Sequence, residues 1–217
     1  MGAIARNIAN NITTSGVFTS GAITNASVTG ITVLANASDG ITFISSQTAS
    51  NSASISFTSG LDSTYKAYKF VFSNCHPRSN ITAFTFQCST NGGSTYNTTM
   101  TTTYFRAYHY EDDGSTALGY GDTVDQAQGT GFQNLANGMG NDADQSLSGS
   151  LTLFNPSSTT YVKHFISRTS GINGDSTGLE IDTNVAGYFN TTSAINAIQF
   201  KYVTGNMDGV IYLYGIK

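Results

Sequence analysis

The sequence predicts an all-β protein, a jelly-roll-like β-sandwich that follows an extended N-terminal arm. Its composition disfavours helices, because 23 of the 217 residues are glycine, only 10% are charged, and Ser, Thr and Asn are abundant. A hydrophobic content of 39%, with 13 Phe and 12 Tyr, is too high for a disordered chain. From Ile41 onward, short alternating runs are separated by turn residues, a spacing typical of sandwiches and jelly rolls.

The first 40 residues differ from the rest of the chain. Their apolar side chains occur singly among Ser, Thr, Asn and Gly, and no aromatic residue follows Phe18 in this segment. Such a segment buries too little apolar surface to form a core of its own. We therefore expect two parts: an extended docking arm over residues 1–40, which binds a neighbouring subunit, and a β-sandwich domain over residues 41–217.

Eleven runs in the sandwich domain have the length and alternation of strands. In chain order they are 41–45, 54–59, 67–73, 81–89, 101–110, 146–154, 162–169, 178–182, 187–190, 195–203 and 209–216. The alternation is clearest in the fourth run, where Phe84 and Phe86 point to one face and Thr85 and Gln87 point to the other. Turn sequences rich in Asn, Asp and Gly separate several of the runs.

The last run, GVIYLYGI, is apolar on both faces. Tyr212 and Tyr214 alternate with Ile211 and Leu213 along an extended chain. A strand of this composition is expected to be covered on both faces. We expect the core on one side and either a neighbouring protomer or the opposite sheet on the other.

Residues 111–145 interrupt the regular spacing of strands. They carry scattered hydrophobic residues, many glycines and several aspartates. A connection of this length inside a compact domain either has a function or contains short strands that the pattern does not reveal. Both interpretations stay open at this point.

The charge distribution excludes some classes of partner. The net charge is −4, and the nine Lys and Arg residues are scattered along the chain. Because no basic stripe follows a phosphate backbone, nucleic-acid binding is not expected. The chain has no run of 18 apolar residues and no apolar signal region near Met1, so neither membrane insertion nor a secretory leader is expected.

The two cysteines allow one disulfide at most. Cys75 falls in a predicted turn and Cys88 inside a predicted strand, so the two positions are out of step across that hairpin. Because a disulfide needs Cα atoms within about 7 Å of each other, a bridge is the less favoured interpretation. A buried free thiol is the plainer one for Cys88.

Two short motifs indicate a family. One is the hairpin sequence STNGGSTY at residues 89–96, which follows a Phe-rich strand, and the other is the closing strand GVIYLYGI at residues 209–216. Together they resemble the C-terminal domains of bacteriophage tail-fibre and related virion surface proteins. The arm is similar to the Ser-, Thr- and Asn-rich linkers of such fibres, and the resemblance covers residues 54–217.

This resemblance implies a homotrimeric module on the surface of a virion. Residues 1–40 would bind other virion proteins, and the sandwich would contact a glycan or protein of the host surface. A tail-fibre or adhesin module is the first interpretation. Because the chain lacks a long shaft, a capsid decoration or head-fibre protein that grips the shell through its arm is the alternative.

Catalytic signals are weak, so no enzyme activity, cofactor or metal site is expected. The Gly-Asp-Ser sequence at 174–176 is similar to a block of SGNH-type hydrolases, but the last histidine, His164, precedes it and reverses the order of nucleophile and base. A carbohydrate-active enzyme is the second alternative, since the acidic residues could supply paired carboxylates. The absence of Trp and the presence of only two Glu disfavour it.

The candidate binding residues are Tyr104, Arg106, Tyr108 and Tyr110, which share one face of the predicted strand 101–110. Tyr and Arg together are typical of binding hot spots, and aromatic rings stack on sugars. The alternative, which the sequence favours, is a sheet face covered by the long connection or by a neighbouring protomer.

Overall fold

The computed structural model describes residues 40–175 and 178–217, which contain twelve strands, no helix and hence no helix able to span a membrane. The strands are β1 (Ile41–Ser52), β2 (Ile55–Phe57), β3 (Ala67–Pro77), β4 (Thr82–Ser89), β5 (Met100–Tyr110), β6 (Thr116–Tyr120), β7 (Gln133–Met139), β8 (Leu147–Phe154), β9 (Lys163–Ile172), β10 (Leu179–Phe189), β11 (Ala197–Tyr202) and β12 (Met207–Ile216). They form two packed antiparallel sheets, so the predicted all-β sandwich is confirmed. Apart from Gly40, the predicted arm of residues 1–40 lies outside the described residues.

The larger sheet has eight strands in the order β1-β12-β3-β8-β9-β10-β5-β6, and the smaller has four in the order β2-β11-β4-β7. Three connections join neighbours within the larger sheet, namely β5 to β6, β8 to β9 and β9 to β10. Every other connection between these twelve strands passes from one sheet to the other. Such repeated crossing is characteristic of jelly-roll sandwiches.

The core between the sheets is aromatic. The Phe200 ring of β11 lies 5.3 Å from the Phe70 ring and 5.2 Å from the Phe72 ring of β3. It also stacks on Phe84 of β4, with 6.1 Å between the ring centroids. Aromatic pairs of this kind contribute about 0.5–1.5 kcal/mol beyond the burial of their area. The Phe residues at every second position of β3 and β4, together with Phe200 of β11, therefore pack between the two sheets and hold them together.

Two features of the predicted strand pattern need correction. The runs 178–182 and 187–190 belong to one strand, β10, because this segment pairs without interruption with both β5 and β9. Residues 111–145 contain the strands β6 and β7. Every residue of β6 is exposed, including Leu118 and Tyr120, so its apolar residues do not mark a buried face.

The prediction that Cys75 lies in a turn is wrong. β3 continues to Pro77 through an irregularity at Asn74, which has a φ of 49°. The register with β8 shifts between Phe72 and Cys75, so the Ser-Asn pair marks a bulge inside a strand rather than its end. Cys75 and Cys88 are both buried and free, in agreement with the thiol interpretation for Cys88.

The last strand lies second in the larger sheet, between β1 and β3. Ile211 and Leu213 on its inner face are fully buried. Tyr212 and Tyr214 on its outer face are half-buried. The core thus covers one face of β12, and the cover expected for the other face remains a prediction.

The glycines of the two motifs have backbone roles. Gly209 has a φ of 126°, and a Cβ atom there would lie only 2.6 Å from the carbonyl oxygen of Asn74 on the neighbouring strand. In the hairpin motif, Gly93 has a φ of 87°, and its N–H donates to the Ser89 Oγ at 3.0 Å. Both positions require a residue without a side chain.

Candidate functional site

The four residues predicted to form a binding face do not form an open surface. They lie on β5, and Tyr104 is only 1% exposed. The N–H of Gly121 donates to the Tyr104 carbonyl at 2.9 Å, and a Cβ atom on Gly121 would lie 2.6 Å from the Tyr104 ring. The segment after β6 therefore packs directly on Tyr104, and burial raises the pKa of its hydroxyl. A surface role for Tyr104 is excluded.

The other three residues of this set are half-buried. The guanidinium carbon of Arg106 lies 5.8 Å from the centre of the Tyr108 ring, a cation–π distance. The rings of Tyr108 and Tyr110 meet edge to face with their centres 5.9 Å apart, and both pack against the core. These contacts join the three side chains to each other and join the two Tyr rings to the core. A binding role for Arg106, Tyr108 and Tyr110 stays a prediction.

The outer face of the larger sheet carries a more open feature, a shallow depression of about 500 Å³. We call it the aromatic depression, and its principal lining residues are Phe154, His164, Ile166, Tyr188, Thr101 and Thr103. In the cross-strand pairing, the small Ala186 lies between Ile166 on β9 and Thr103 on β5. Because the side chains of Ile166 and Thr103 are larger than that of Ala186, the surface of the sheet is lower at the alanine.

Aromatic and hydroxyl groups meet at one end of the aromatic depression. The His164 and Tyr188 side chains lie opposite each other on β9 and β10, and their ring centres are 6.0 Å apart. The next cross-strand partner of Tyr188 is Thr101 on β5. Ring faces beside hydroxyl groups can contact ligands that have both apolar and hydroxylated surfaces.

A network of neutral hydrogen-bonding groups borders this end. The Gln128 amide nitrogen Nε2 donates to Thr101 Oγ1 at 2.6 Å and to the Tyr188 hydroxyl at 3.4 Å. The Asn190 amide donates to Gln128 Oε1 at 2.6 Å. These contacts hold the Tyr188 hydroxyl at the edge of the depression. The residues that line the depression include no Asp, Glu, Lys or Arg.

A second depression of about 360 Å³ lies on the same face and is polar. Arg168 donates to both carboxylate oxygens of Asp182, at 2.9 and 2.8 Å, and the contact with Asp182 raises the pKa of Arg168. The Ser170 hydroxyl donates to Glu180 at 2.6 Å. The acidic and basic groups here are paired across neighbouring strands, so this depression adds polar contacts beside the aromatic one.

No group of three or more His, Cys, Asp or Glu side chains among the described residues could hold a metal ion. The Gly-Asp-Ser sequence at 174–176 is described only in part, because Ser176 lies outside the described residues. The outer face offers aromatic rings, apolar groups and neutral hydrogen-bonding groups at the aromatic depression, and the Arg168–Asp182 ion pair with Glu180 at the polar depression.

Sequence reasoning missed the aromatic depression. Phe154, His164 and Tyr188 lie on three different strands and are 34 residues apart from first to last. Alternation does place each of them on the face opposite the core. Their proximity follows from the order β8-β9-β10, which a period-2 pattern does not specify.

The sequence matches no protein-family model and no curated protein, and the fold matches no solved structure, at a significant level.

Proposed function

We propose that this protein is a bacteriophage virion structural protein, a tail-fibre or adhesin module on the particle surface. Residues 1–40 anchor it to other virion proteins, and the outer face of the larger sheet contacts the host surface. The observation that carries the proposal is the aromatic depression. His164 and Tyr188 project from paired strands beside a neutral hydrogen-bonding network, and sites on paired strands hold their geometry better than sites on loops.

The composition of the chain agrees with this role. A surface built from hydroxyl and amide groups with few charges resists nonspecific electrostatic adsorption, which suits an adhesin that must select one target. The hairpin motif at 89–96 and the closing strand at 209–216 supply the link to virion proteins. The target is a glycan or protein of the host surface, and the particle-bound form is a homotrimer.

A capsid decoration or head-fibre protein is the second candidate, because a single head on a short arm suits attachment to a shell equally well. A competition experiment with the purified protein distinguishes the adhesin from the decoration protein. The purified protein is expected to block adsorption of the parent phage if it is an adhesin, whereas a decoration protein leaves adsorption unchanged. Turnover of host polysaccharide by the purified protein would instead identify a carbohydrate-active enzyme.

Replacing Tyr188 with alanine is expected to weaken this competition at least about tenfold, because it removes an aromatic contact and the hydroxyl bonded to Gln128. The measurement is the concentration of purified protein that halves adsorption. Val203→Ala, at a residue 65% exposed directly after β11 of the smaller sheet, is the control and should compete like the wild type. If Tyr188→Ala competed as well as the wild type, the contact with the host would lie outside the aromatic depression.

Deleting residues 2–40 is expected to abolish incorporation into particles and to leave a folded sandwich. The reason is that the described core cluster begins at Ala49 and that Ile44, which packs against it, also lies after the deletion, so the deletion removes no described side chain of that core. The measurement is the amount of the protein on purified particles, with circular dichroism as the control for folding. Normal incorporation of the shortened chain would refute the anchoring role.

A further inference from the structure

The size of the aromatic depression indicates a small ligand. Ten residues line it, and its volume is about 500 Å³. Each side of a stable protein interface contributes about 20–30 residues, whereas small-molecule sites have volumes of about 300–1,000 Å³. The depression therefore has the dimensions of a site for a small molecule, or for one unit of a larger polymer, rather than those of a whole protein interface.

The lining offers apolar surfaces to such a ligand. Phe154 is 40% exposed and Ile166 is 57% exposed. His164 and Tyr188, which lie opposite each other on β9 and β10, add two rings to the same lining. The apolar C–H face of a sugar ring packs well on aromatic and aliphatic side chains of this kind.

Two hydroxyl groups at the edge of the depression have unused donors. Thr101 Oγ1 accepts from the backbone N–H of Gln128 at 3.2 Å and from its side-chain amide at 2.6 Å. The Tyr188 hydroxyl accepts from the same amide at 3.4 Å. Within the described part of the chain, neither hydroxyl donates a hydrogen bond of its own. Because a hydroxyl has one donor besides its acceptor lone pairs, both O–H groups remain able to donate to oxygen atoms of a ligand.

The backbone of Gln128 is a second, independent observation. Gln128 has a φ of 55°, a left-handed conformation that residues other than glycine seldom adopt. Its side chain is exposed, so burial does not account for a glutamine at this position. Asn190 donates to Gln128 Oε1 at 2.6 Å, and this contact fixes the amide so that Nε2 points to Thr101 and Tyr188. Residues with such backbone strain cluster at ligand sites, where the strain holds polar groups in position.

The charges on this face indicate that the ligand is neutral. The lining contains no Lys or Arg to pair with an anion and no Asp or Glu to pair with a cation. In the neighbouring polar depression, Arg168 is already paired with Asp182. Lys69 lies on β3, two strands away from β9. An anionic group bound in the depression would therefore lose its hydration without gaining an ionic partner.

We propose that the aromatic depression binds a neutral sugar unit of a host-surface glycan. The apolar face of the sugar ring packs on Phe154, Ile166 and the neighbouring rings, and the sugar oxygens accept from the hydroxyls of Thr101 and Tyr188. Sugars that carry a carboxylate or a phosphate are disfavoured, because the lining has no cationic group. This inference rests on the proposed function, since that function makes the depression the contact site for the host surface. It narrows the target from a glycan or protein to a neutral glycan.

The test is the binding of matched methyl glycosides to the full chain, measured by chemical-shift titration of the amides of β5, β9 and β10. The neutral probes are the methyl glycosides of glucose, galactose and mannose, and the charged probes are those of the corresponding uronic acids. The members of each pair differ only by a hydroxymethyl group in place of a carboxylate. We expect a neutral probe to bind and its uronic acid to bind at least about tenfold more weakly. Binding of no neutral probe, or equal binding of the acid, would overturn the inference.

Two variants test the donor groups. Tyr188→Phe removes the hydroxyl and keeps the ring, and Gln128→Gly removes the amide at a φ that glycine adopts without strain. Each should weaken binding of the neutral probe about threefold to tenfold, the usual effect of losing one hydrogen bond. Neither should lower the thermal midpoint, and Val203→Ala should bind like the wild type. Wild-type affinity of Tyr188→Phe and Gln128→Gly would overturn the inference.

The adsorption experiment separates this inference from the proposed function. If the purified protein blocks adsorption and no neutral probe binds, the adhesin role stands and the neutral-sugar inference fails. If a neutral probe binds at the depression and the protein does not block adsorption, the sugar site stands and the adhesin role fails.

Discussion

Replacing Phe200 with alanine is expected to lower the free energy of unfolding by about 3–5 kcal/mol, the usual cost of removing a buried Phe side chain. Phe200 is fully buried, and its ring contacts the rings of Phe70, Phe72, Phe84 and Phe86. These four residues belong to both sheets. The resulting cavity would therefore weaken the contact between the sheets as well as the packing within one of them.

The measurement is equilibrium unfolding in urea, with the wild type and Phe105→Ala as references. Phe105 is the matched control because it is 44% exposed on β5, and its replacement should cost less than about 1 kcal/mol. If Phe200→Ala does not fold, Phe200→Leu keeps most of the volume and should be destabilised by about 1–2 kcal/mol. Equal losses for the variants at positions 200 and 105 would contradict the central place of Phe200 in the core.

Alkaline conditions are expected to destabilise the protein through its two buried thiols. Burial raises the pKa of Cys75 to about 12 and raises that of Cys88 well above its ordinary value of 9.0. In the unfolded chain, both thiols lose their protons above about pH 9, whereas in the folded protein they keep them. The unfolded state is therefore favoured progressively as the pH rises through this range.

The expected slope is about 1.4 kcal/mol per pH unit for each thiol, beginning near the pKa of the unfolded thiol and ending near that of the folded one. The measurement is the free energy of unfolding from about pH 8 to about pH 10, because above this range the buried tyrosines Tyr104 and Tyr202, whose pKa burial also raises, add to the loss of stability. Cys75→Ala is the matched control, because it should reduce the slope by about half while Cys88 remains. A wild-type stability that does not change between these pH values would contradict the burial of both thiols.

The prediction of the fold succeeded where a pattern is local. Phe84 and Phe86 alternate with Thr85 and Gln87, and this alternation alone identifies β4 and the side of the strand that carries its aromatic residues. β4 is nevertheless buried throughout. On the face opposite its Phe residues, Gln87 donates to the carbonyls of Thr130 and Gly131 in the connection before β7. Coverage of that second face depends on residues far away in the sequence.

The prediction failed where strand pairing overrides local signals. Asn74 lies in a Ser-Asn pair that indicates a turn, yet pairing with β8 and β12 carries β3 onward to Pro77. β10 continues across the predicted break at 183–186 for the same reason, since it has a partner on each side. Hydrogen bonding to two neighbours stabilises an extended backbone that the propensities of its own residues do not specify.

The sequence by itself determined the all-β class, the positions of most strands and the face of each that carries its large apolar residues, because these depend on composition and on a period of two residues. Only the tertiary structure decided which strands are neighbours. That order buries Tyr104 beneath the segment after β6, and it brings His164 and Tyr188 together on the outer face. Among the described strands, it also places β1 at one end of the larger sheet. Neighbouring strands are selected by long-range burial and closure of the sandwich, and no local pattern encodes those contacts.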